Sequence, residues 1–154
     1  MDLIEAAPSQ TVARDFTNEL WGIWATAPDE TAQEILERGM NRRASFDLTG
    51  ALSDFDTLVD YCPDYAEGYN QRAFVNFIRQ DYDAALKDLT KAVELMPDHI
   101  GAIVGQALAL IQLGRDREGQ IALRRALILN PWLPERNRVT PLPDEEENDI
   151  KTDL

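Results

Sequence analysis

The sequence predicts an all-α protein in which helix pairs stack on one another, and three observations point to this fold class. Apolar residues follow helical spacing along most of the chain, and no stretch alternates between apolar and polar residues as a half-buried strand does. Classes of residue recur with a period of 34. Each predicted helix pair also ends before a proline, since proline disfavours the helical conformation at the residue before it. These prolines are Pro63, Pro97 and Pro131.

Four further classes of position share the period of 34 residues. Two of them hold glycine or alanine in every copy, and the others hold larger apolar residues or alanine. The sets are Ala51, Ala85 and Gly119; Gly39, Ala73 and Ala107; Phe55, Leu89 and Leu123; and Leu58, Ala92 and Ala126. Because five classes of position stay in phase over three copies, we infer a repeated structural unit rather than a bias of composition.

This pattern resembles the tetratricopeptide repeat (TPR), in which each 34-residue unit forms a two-helix hairpin. The resemblance covers about two-thirds of the chain and is to small bacterial TPR-containing proteins as a class. It implies an α-solenoid of three TPR helix hairpins with an N-terminal capping helix and a short irregular acidic C-terminal tail. The implied divisions are 1–31 for the N-terminal helix, 32–65, 66–99 and 100–131 for the repeats that make up 32–131, and 132–154 for a C-terminal cover and mobile tail.

The repeat register predicts where the helices of the three hairpins lie. Acidic residues after Pro28 suit a helix start, because they accept hydrogen bonds from free N–H groups. Gly114 falls in the last predicted turn. The predicted helices run near 28–44, 47–61, 65–80, 81–96, 99–113 and 115–129.

An additional helix is predicted from Thr11 to Thr26, ahead of the first repeat. Projecting the period backwards places Trp21 at the site of Phe55 and Trp24 at the site of Leu58. We therefore interpret it as the second helix of a degenerate half-repeat that caps the first hairpin. Two alternatives stay open, a detached interaction helix and a helix that fills the groove of the repeats. The apolar residues that define it are Val12, Phe16, Leu20, Ile23 and Trp24.

The repeat register is lost after Pro131. Trp132 and Leu133 are expected to cover the open end of the third repeat, and the prolines that follow exclude a long capping helix. From Asp144 the chain reads DEEENDIKTDL, which is acidic and poor in apolar residues, so we expect a mobile, solubilising tail.

Charge and composition limit the kinds of partner. The net charge of −13 argues against nucleic acid or an anionic membrane as the main partner. Residues 115–143 are the exception, with six basic and three acidic residues, and Arg117, Arg124 and Arg125 lie among them. No apolar run reaches the length of a membrane span, and no signal peptide is expected near Met1. The compartment stays open: cytoplasmic as the sequence stands, periplasmic if a signal peptide has been removed.

No pattern in the sequence indicates catalysis, a metal or a cofactor. Cys62 is the one cysteine, which excludes an internal disulfide and a CxxC motif, and we expect it to be a buried or half-buried thiol. His99 is the one histidine and has no second metal ligand at useful spacing, so we expect it at the surface. No nucleophile elbow, phosphate loop or HExxH motif occurs, and we expect a protein without enzymatic activity.

Arginine and aspartate occur together at two repeat positions that the TPR resemblance places opposite each other in a hairpin. Both residues are absent from the third repeat, where Gln106 and Ala122 replace them. Because the same combination appears twice at equivalent places, we interpret it as a structural ion pair rather than a catalytic site. The predicted pairs are Arg38 with Asp54 and Arg72 with Asp88.

The first helices of the repeats carry a second apolar stripe at positions 5, 9 and 12. In proteins that resemble this chain, these positions line the concave groove where peptides bind. Apolar stripes of this kind also occur in cores, and the N-terminal helix could cover this one. The predicted groove residues are Leu36, Met40 and Arg43, then Asn70, Phe74 and Phe77, then Val104, Leu108 and Ile111.

These features predict a non-catalytic interaction module that binds a peptide or helix segment in an apolar groove. The polar clamp with which some TPR domains hold a C-terminal carboxylate is not reproduced, since only Asn70 and Arg43 are candidates for it. The alternative is a homo-oligomeric protein whose apolar surface is buried in a second copy.

Overall fold

The computed structural model of the protein describes residues 10–142. This part of the chain holds seven α-helices and a short 3₁₀ helix, and it contains no strand. The residues of the predicted acidic tail lie outside it, as do the side chains of Val12 and Phe16. The helices are α1 (Gln10–Trp24), α2 (Glu30–Ala44), α3 (Leu48–Tyr61), α4 (Ala66–Ile78), α5 (Tyr82–Leu95), α6 (Ile100–Gln112) and α7 (Asp116–Leu129), followed by the 3₁₀ helix Pro134–Arg138.

The helix ends explain why the chain turns where it does. Asp47 and Asp81, one period apart, cap α3 and α5, and each side chain accepts a hydrogen bond from a backbone N–H in the first turn. The residue before each second-helix cap adopts a left-handed conformation, with φ of 61° at Phe46, 62° at Gln80 and 77° at Gly114. Only the third turn uses glycine, the residue that adopts this conformation without strain.

The helices pack as three hairpins, α2 with α3, α4 with α5, and α6 with α7. Small residues at the crossing points allow the close approach. A Cβ atom added to Gly39 would lie 2.5 Å from Cε1 of Phe55, and one added to Gly119 would lie 2.7 Å from Cγ1 of Ile111. The periodic alanines are fully buried for the same reason. They include Ala51, Ala73, Ala85, Ala92, Ala107 and Ala126.

The first two hairpins each contain the predicted arginine–aspartate pair. Arg38 Nε lies 2.9 Å from Asp54 Oδ1, and Arg42, which the sequence analysis did not include, donates to the other oxygen at 3.0 Å. Arg72 binds Asp88 through two parallel hydrogen bonds of 2.7 and 2.8 Å. These hydrogen bonds raise the pKa of Arg72 above its ordinary value, against the effect of partial burial. Both aspartates are nearly inaccessible to solvent.

The N-terminal helix does not lie over the first hairpin as the second helix of a half-repeat. Trp24 stacks on His99 at the start of the third hairpin, with ring centroids 4.2 Å apart, and Trp21 contacts the edge of the same ring. The Tyr65 hydroxyl, from the loop before α4, donates to the Trp24 carbonyl at 2.7 Å. The end of α1 therefore contacts the second and third hairpins. Its two tryptophans pack against a buried histidine, a contact that backward projection of the repeat did not consider.

The segment between α1 and α2 contacts the first hairpin instead. The Gln33 side chain accepts from the Ala27 N–H at 2.8 Å and donates to the Ala25 carbonyl at 3.2 Å. Ala25 and Ala27 pack against the apolar core of the first hairpin, in which Leu36 and Phe55 are fully buried. The first hairpin is thus covered by a loop rather than by a helix in register.

The chain after α7 folds back onto the third hairpin. Leu133 is buried and joins the core of the second and third hairpins, with Trp132 packed beside it. The Gln120 side chain then holds the chain at two points, donating to the Arg138 carbonyl and accepting from the Thr140 N–H. Leu133 reaches the concave side as well as the end of the repeats, which the sequence analysis did not predict.

Candidate protein-binding groove

An apolar cavity of about 490 Å³ opens on the concave side between α4 and α6. This cavity is called the groove below. Its size is within the range of protein sites that bind ligands. Trp21 from α1 and Leu133 from the chain after α7 complete its walls. The groove is lined by Trp21, Asn70, Ala73, Phe74, Phe77, Ile78, Leu89, Ile100, Gly101, Val104, Gly105, Leu108, Leu133, Pro134 and Glu135.

Two aromatic residues on α4 dominate the exposed apolar surface of the groove. Phe74 leaves 52% of its surface exposed, and it does so within a contiguous set of apolar lining residues rather than as an isolated side chain. Phe77 is half-buried, with its ring against Tyr82 in an edge-to-face arrangement at 5.1 Å. Ile78, one residue further, is 38% exposed. Phe74 is therefore accessible to a ligand, whereas Phe77 also supports the packing of α4 on α5.

The groove contains five of the nine residues that the sequence analysis assigned to it. Leu36 is fully buried in the core of the first hairpin and cannot contact a ligand in this conformation. Met40 packs against the same core, and Ile111 contacts Gly119 within the third hairpin. Arg43 lies next to Phe74. The five residues that line the groove are Asn70, Phe74, Phe77, Val104 and Leu108.

Arg43 places a cation on the ring of Phe74. Its guanidinium carbon lies 4.3 Å from the ring centroid, a cation–π geometry, and its Nη1 donates to Gln71. Burial lowers the pKa of Arg43 from its usual value, and the nearby Glu67 carboxylate acts in the opposite direction. These contacts direct the Arg43 side chain towards α4.

A buried polar network links α4 to the N-terminal part of α6 and corrects the expectation that His99 is a surface residue. His99 is fully buried, and its Nδ1 accepts a hydrogen bond from the Ala102 N–H at 3.1 Å, which caps α6. The ring proton is therefore on Nε2, which donates to Glu67 at 2.6 Å. The Glu67 carboxylate also accepts from Asn70 and Gln71. Four polar side chains thus satisfy one another away from water.

The second position of each repeat connects the concave side to the N-terminal segment. In the first repeat it is Gln33, which bonds the loop after α1; in the second it is Glu67, which holds His99 beneath Trp24. In the third it is Gly101, where an added Cβ would lie 2.6 Å from Cζ2 of Trp21. The lack of a side chain at this site leaves room for the tryptophan that forms one wall of the groove.

The groove offers no basic group to a carboxylate. None of its lining residues is lysine or arginine, and Glu135 adds a negative charge. The two candidates for a clamp have other contacts, since Asn70 donates to Glu67 and Arg43 contacts Phe74 and Gln71. The lining of the groove is therefore apolar apart from one amide and one carboxyl group.

Other chemistry is not evident in the described part of the chain. Cys62 is half-buried, and partial burial together with the charge of Asp29 raises the pKa of its thiol. No group of three histidine, cysteine, aspartate or glutamate side chains in residues 10–142 could hold a metal ion. No helix in the same range is long and apolar enough to cross a membrane.

Comparison with known proteins identifies relatives for much of the chain. The profile of the family described as Tetratricopeptide repeat matches residues 66–99. The Tetratricopeptide repeat protein 36 homolog of Nematostella vectensis is 40% identical over 76 residues, which are 49% of this chain and 41% of that protein. The aligned part therefore spans less than half of that relative's length.

Two solved structures have the same fold at low sequence identity. The first TPR of Spaghetti (RPAP3), bound to the HSP90 peptide SRMEEVD, superposes with a TM-score of 0.68 at 21% identity, over 70% of this chain and 85% of that one. The TPR2B-domain:pHsp70-complex of yeast Sti1 gives 0.64 at 23% identity, over 66% and 81%. These likenesses confirm the predicted all-α helical-repeat fold.

Proposed function

We propose that this chain, which is a member of the tetratricopeptide repeat family, acts as a protein–protein interaction module that binds an apolar protein segment in the groove between α4 and α6. The observation that carries the proposal is the half-exposed Phe74 at an open cavity whose walls are almost entirely apolar. A half-exposed aromatic beside aliphatic side chains is the kind of anchor on which binding energy concentrates in protein interfaces.

The chemistry of the groove indicates which segments fit. The HSP90 peptide in the Spaghetti structure, SRMEEVD, contains two glutamates and an aspartate. Here the lining residues include no basic side chain, Glu135 is acidic, and the whole chain carries a charge of −13. Burial of an acidic peptide in this groove would leave its carboxylates without partners, at a cost in free energy. We therefore expect a segment with two or more large apolar residues and a neutral or basic remainder.

Binding in this proposal involves no chemical step. Only Asn70 and Glu135 bring an amide or a carboxyl group to the groove, and Asn70 already bonds Glu67. General acid–base or nucleophilic catalysis requires several such groups in mutual contact. The groove has instead the composition of a surface that recognises side chains by shape and burial.

Peptide selection tests the proposal and requires no identified partner. Random twelve-residue peptides displayed on phage are selected on the full chain, and the enriched peptides are measured by calorimetry. We expect enriched peptides to share large apolar residues at helical or alternate spacing and to bind with micromolar affinity. SRMEEVD is the acidic comparison peptide and should show no binding. Tight binding of SRMEEVD, or a consensus rich in aspartate and glutamate, would contradict the proposal.

Self-association is measured in parallel, because an apolar groove can also be filled by a second copy. Sedimentation of the full chain at micromolar concentration should give a monomer. A dimer that dissociates on addition of the selected peptide would instead assign the groove to self-association.

A further inference from the structure

We propose that the outer face of α7 is a second docking surface and that its occupant is the chain's own acidic segment 143–154. This face is defined by Arg117, Ile121, Arg125 and Ile128 and is called the α7 stripe. None of these four residues lines the groove, so the proposal does not depend on peptide binding there.

Comparison of equivalent positions in the three hairpins shows that the α7 stripe is unusual. All twelve positions are exposed, and the first two hairpins place only polar or charged residues on this face. The third hairpin places two isoleucines there, with 49% of Ile121 and 70% of Ile128 exposed. The fold therefore does not require apolar residues at these positions. The equivalents are Thr49, Ser53, Thr57 and Asp60 on α3 and Asp83, Lys87, Lys91 and Glu94 on α5.

The stripe combines apolar surface with positive charge. Ile121 and Ile128 are seven residues apart on one helix, so they share a face. Arg117 and Arg125 lie four residues to either side of Ile121 along the same face. Residues 115–143, which include this helix, carry six basic and three acidic residues, whereas residues 1–114 carry eight basic and nineteen acidic. The stripe is thus the basic, apolar region of an otherwise acidic protein.

The described chain runs along this helix shortly before the acidic segment begins. Thr140 is held beside α7 by Gln120, at 2.9 Å, and by Arg124, which donates to the Thr140 carbonyl at 2.9 Å. Leu142, two residues later, is the last that the structure describes. The described chain is therefore held against α7 at Thr140, three residues before the acidic segment begins. Twelve residues reach about 40 Å when extended, about twice the length of a fourteen-residue helix.

The segment has the composition that complements the stripe. It contains six acidic residues and one lysine, and it carries Ile150 and Leu154 four residues apart. A carboxylate is suited to pair with Arg125, whose guanidinium also donates to the Pro97 carbonyl at 3.0 Å. The two apolar side chains can cover the exposed isoleucines. Because the segment is tethered to α7, its effective concentration at the stripe is in the millimolar range, higher than that of a competing segment from solution.

Paramagnetic relaxation tests this contact in the full chain. A nitroxide is attached at Thr152→Cys in a Cys62→Ser background, and the isoleucine methyl signals are recorded before and after reduction of the label. We expect Ile121 and Ile128 to lose most of their peak intensity. Ile78 in the groove and Ile23 on α1 are exposed isoleucines that serve as controls and should be unaffected. Circular dichroism checks that the background variant has the wild-type fold.

A matched variant and a mixing experiment separate the remaining outcomes. Ile121→Lys introduces the residue that α5 has at the equivalent position and leaves Ile128 as the reporter. This variant should abolish the broadening of the Ile128 methyl signals, and raised salt should reduce it. Uniform intensities, or broadening at Ile78 instead, would overturn the proposal. Broadening in a mixture of spin-labelled and isotope-labelled chains would also overturn it, because the occupant would then be the segment of a second copy.

Discussion

The two halves of the concave surface differ although the same repeat positions build both. In the half formed by α2, Leu36 is fully buried and the loop carrying Ala25 and Ala27 covers the core. In the half formed by α4 and α6, Phe74 and Leu108 face an open cavity. An apolar stripe is therefore part of the core where another segment covers it. Where none of the described residues covers it, the stripe is a candidate binding surface.

The path of the N-terminal segment produces this difference. Its loop bonds Gln33 on the first hairpin, while its two tryptophans pack around His99 on the third. Trp21 consequently forms a wall of the groove instead of filling it. The N-terminal segment both closes one half of the concave surface and shapes the other.

The largest expected effect is a difference in unfolding free energy between variants in the two halves of the concave surface. Leu36→Ala removes a fully buried side chain and should cost about 2–5 kcal/mol of unfolding free energy. Leu108→Ala removes a partly exposed side chain at the cavity and should cost about 1 kcal/mol or less. Urea unfolding of both variants measures the difference. Equal losses would mean that the α6 half is as closed as the α2 half.

A smaller loss of unfolding free energy is expected when the buried polar network of Glu67 and His99, which joins the two regions, is disrupted. Glu67→Ala removes the acceptor for His99, Asn70 and Gln71. Because three buried donors are then left without a partner, the unfolding free energy should fall by about 3 kcal/mol. Because His99 stacks on Trp24, tryptophan emission should also shift to the red. Glu67→Gln keeps an acceptor oxygen and should lose less. If Glu67→Ala melts like the wild type, the network does not hold the N-terminal helix.

The ion pairs allow a third comparison, between the first and second hairpins. Asp88→Ala should cost about 1–3 kcal/mol because Arg72 is left partly buried. Asp54→Ala should cost less, since the side chains of Arg38 and Arg42 are 53% and 42% exposed and can be solvated. Adding Arg72→Met to Asp88→Ala should recover part of the loss. Strictly additive losses in this double variant would mean that the two residues are not coupled.

The sequence predicted the repeats well because their determinants are local. Helical spacing, the small residues at 34-residue intervals and the prolines specify the hairpins, and the Arg72–Asp88 contact follows from equivalent positions in the repeat. It also selected Phe74, since the first-helix stripe is a periodic feature. None of these features depends on how distant segments of the chain meet.

The errors concern contacts between distant parts of the chain. Nothing in the pattern around His99 indicated that Trp24, 75 positions earlier, would stack on it and that Glu67 would satisfy it. The placement of Leu36 in the groove was wrong for the same reason, because its cover comes from outside the repeats. Gly101 was the available signal, since a glycine at the second position of a helix suggests a neighbour that requires the space.

Phe74→Ala provides the most direct test of the groove. Its 52% exposure means that truncation should change the melting temperature by only a few degrees, apart from the loss of the Arg43 contact. Phe77 is less suitable because it also packs on Tyr82. Phe46→Ala is the matched control: this phenylalanine is 78% exposed and does not line the groove.

The decisive measurement is the affinity of a library-selected apolar peptide for these two variants by calorimetry. We expect Phe74→Ala to weaken binding at least about tenfold, which corresponds to about 1.4 kcal/mol, while Phe46→Ala binds like the wild type. If folded Phe74→Ala retains wild-type affinity, the peptide binds elsewhere and the groove is not the interaction site.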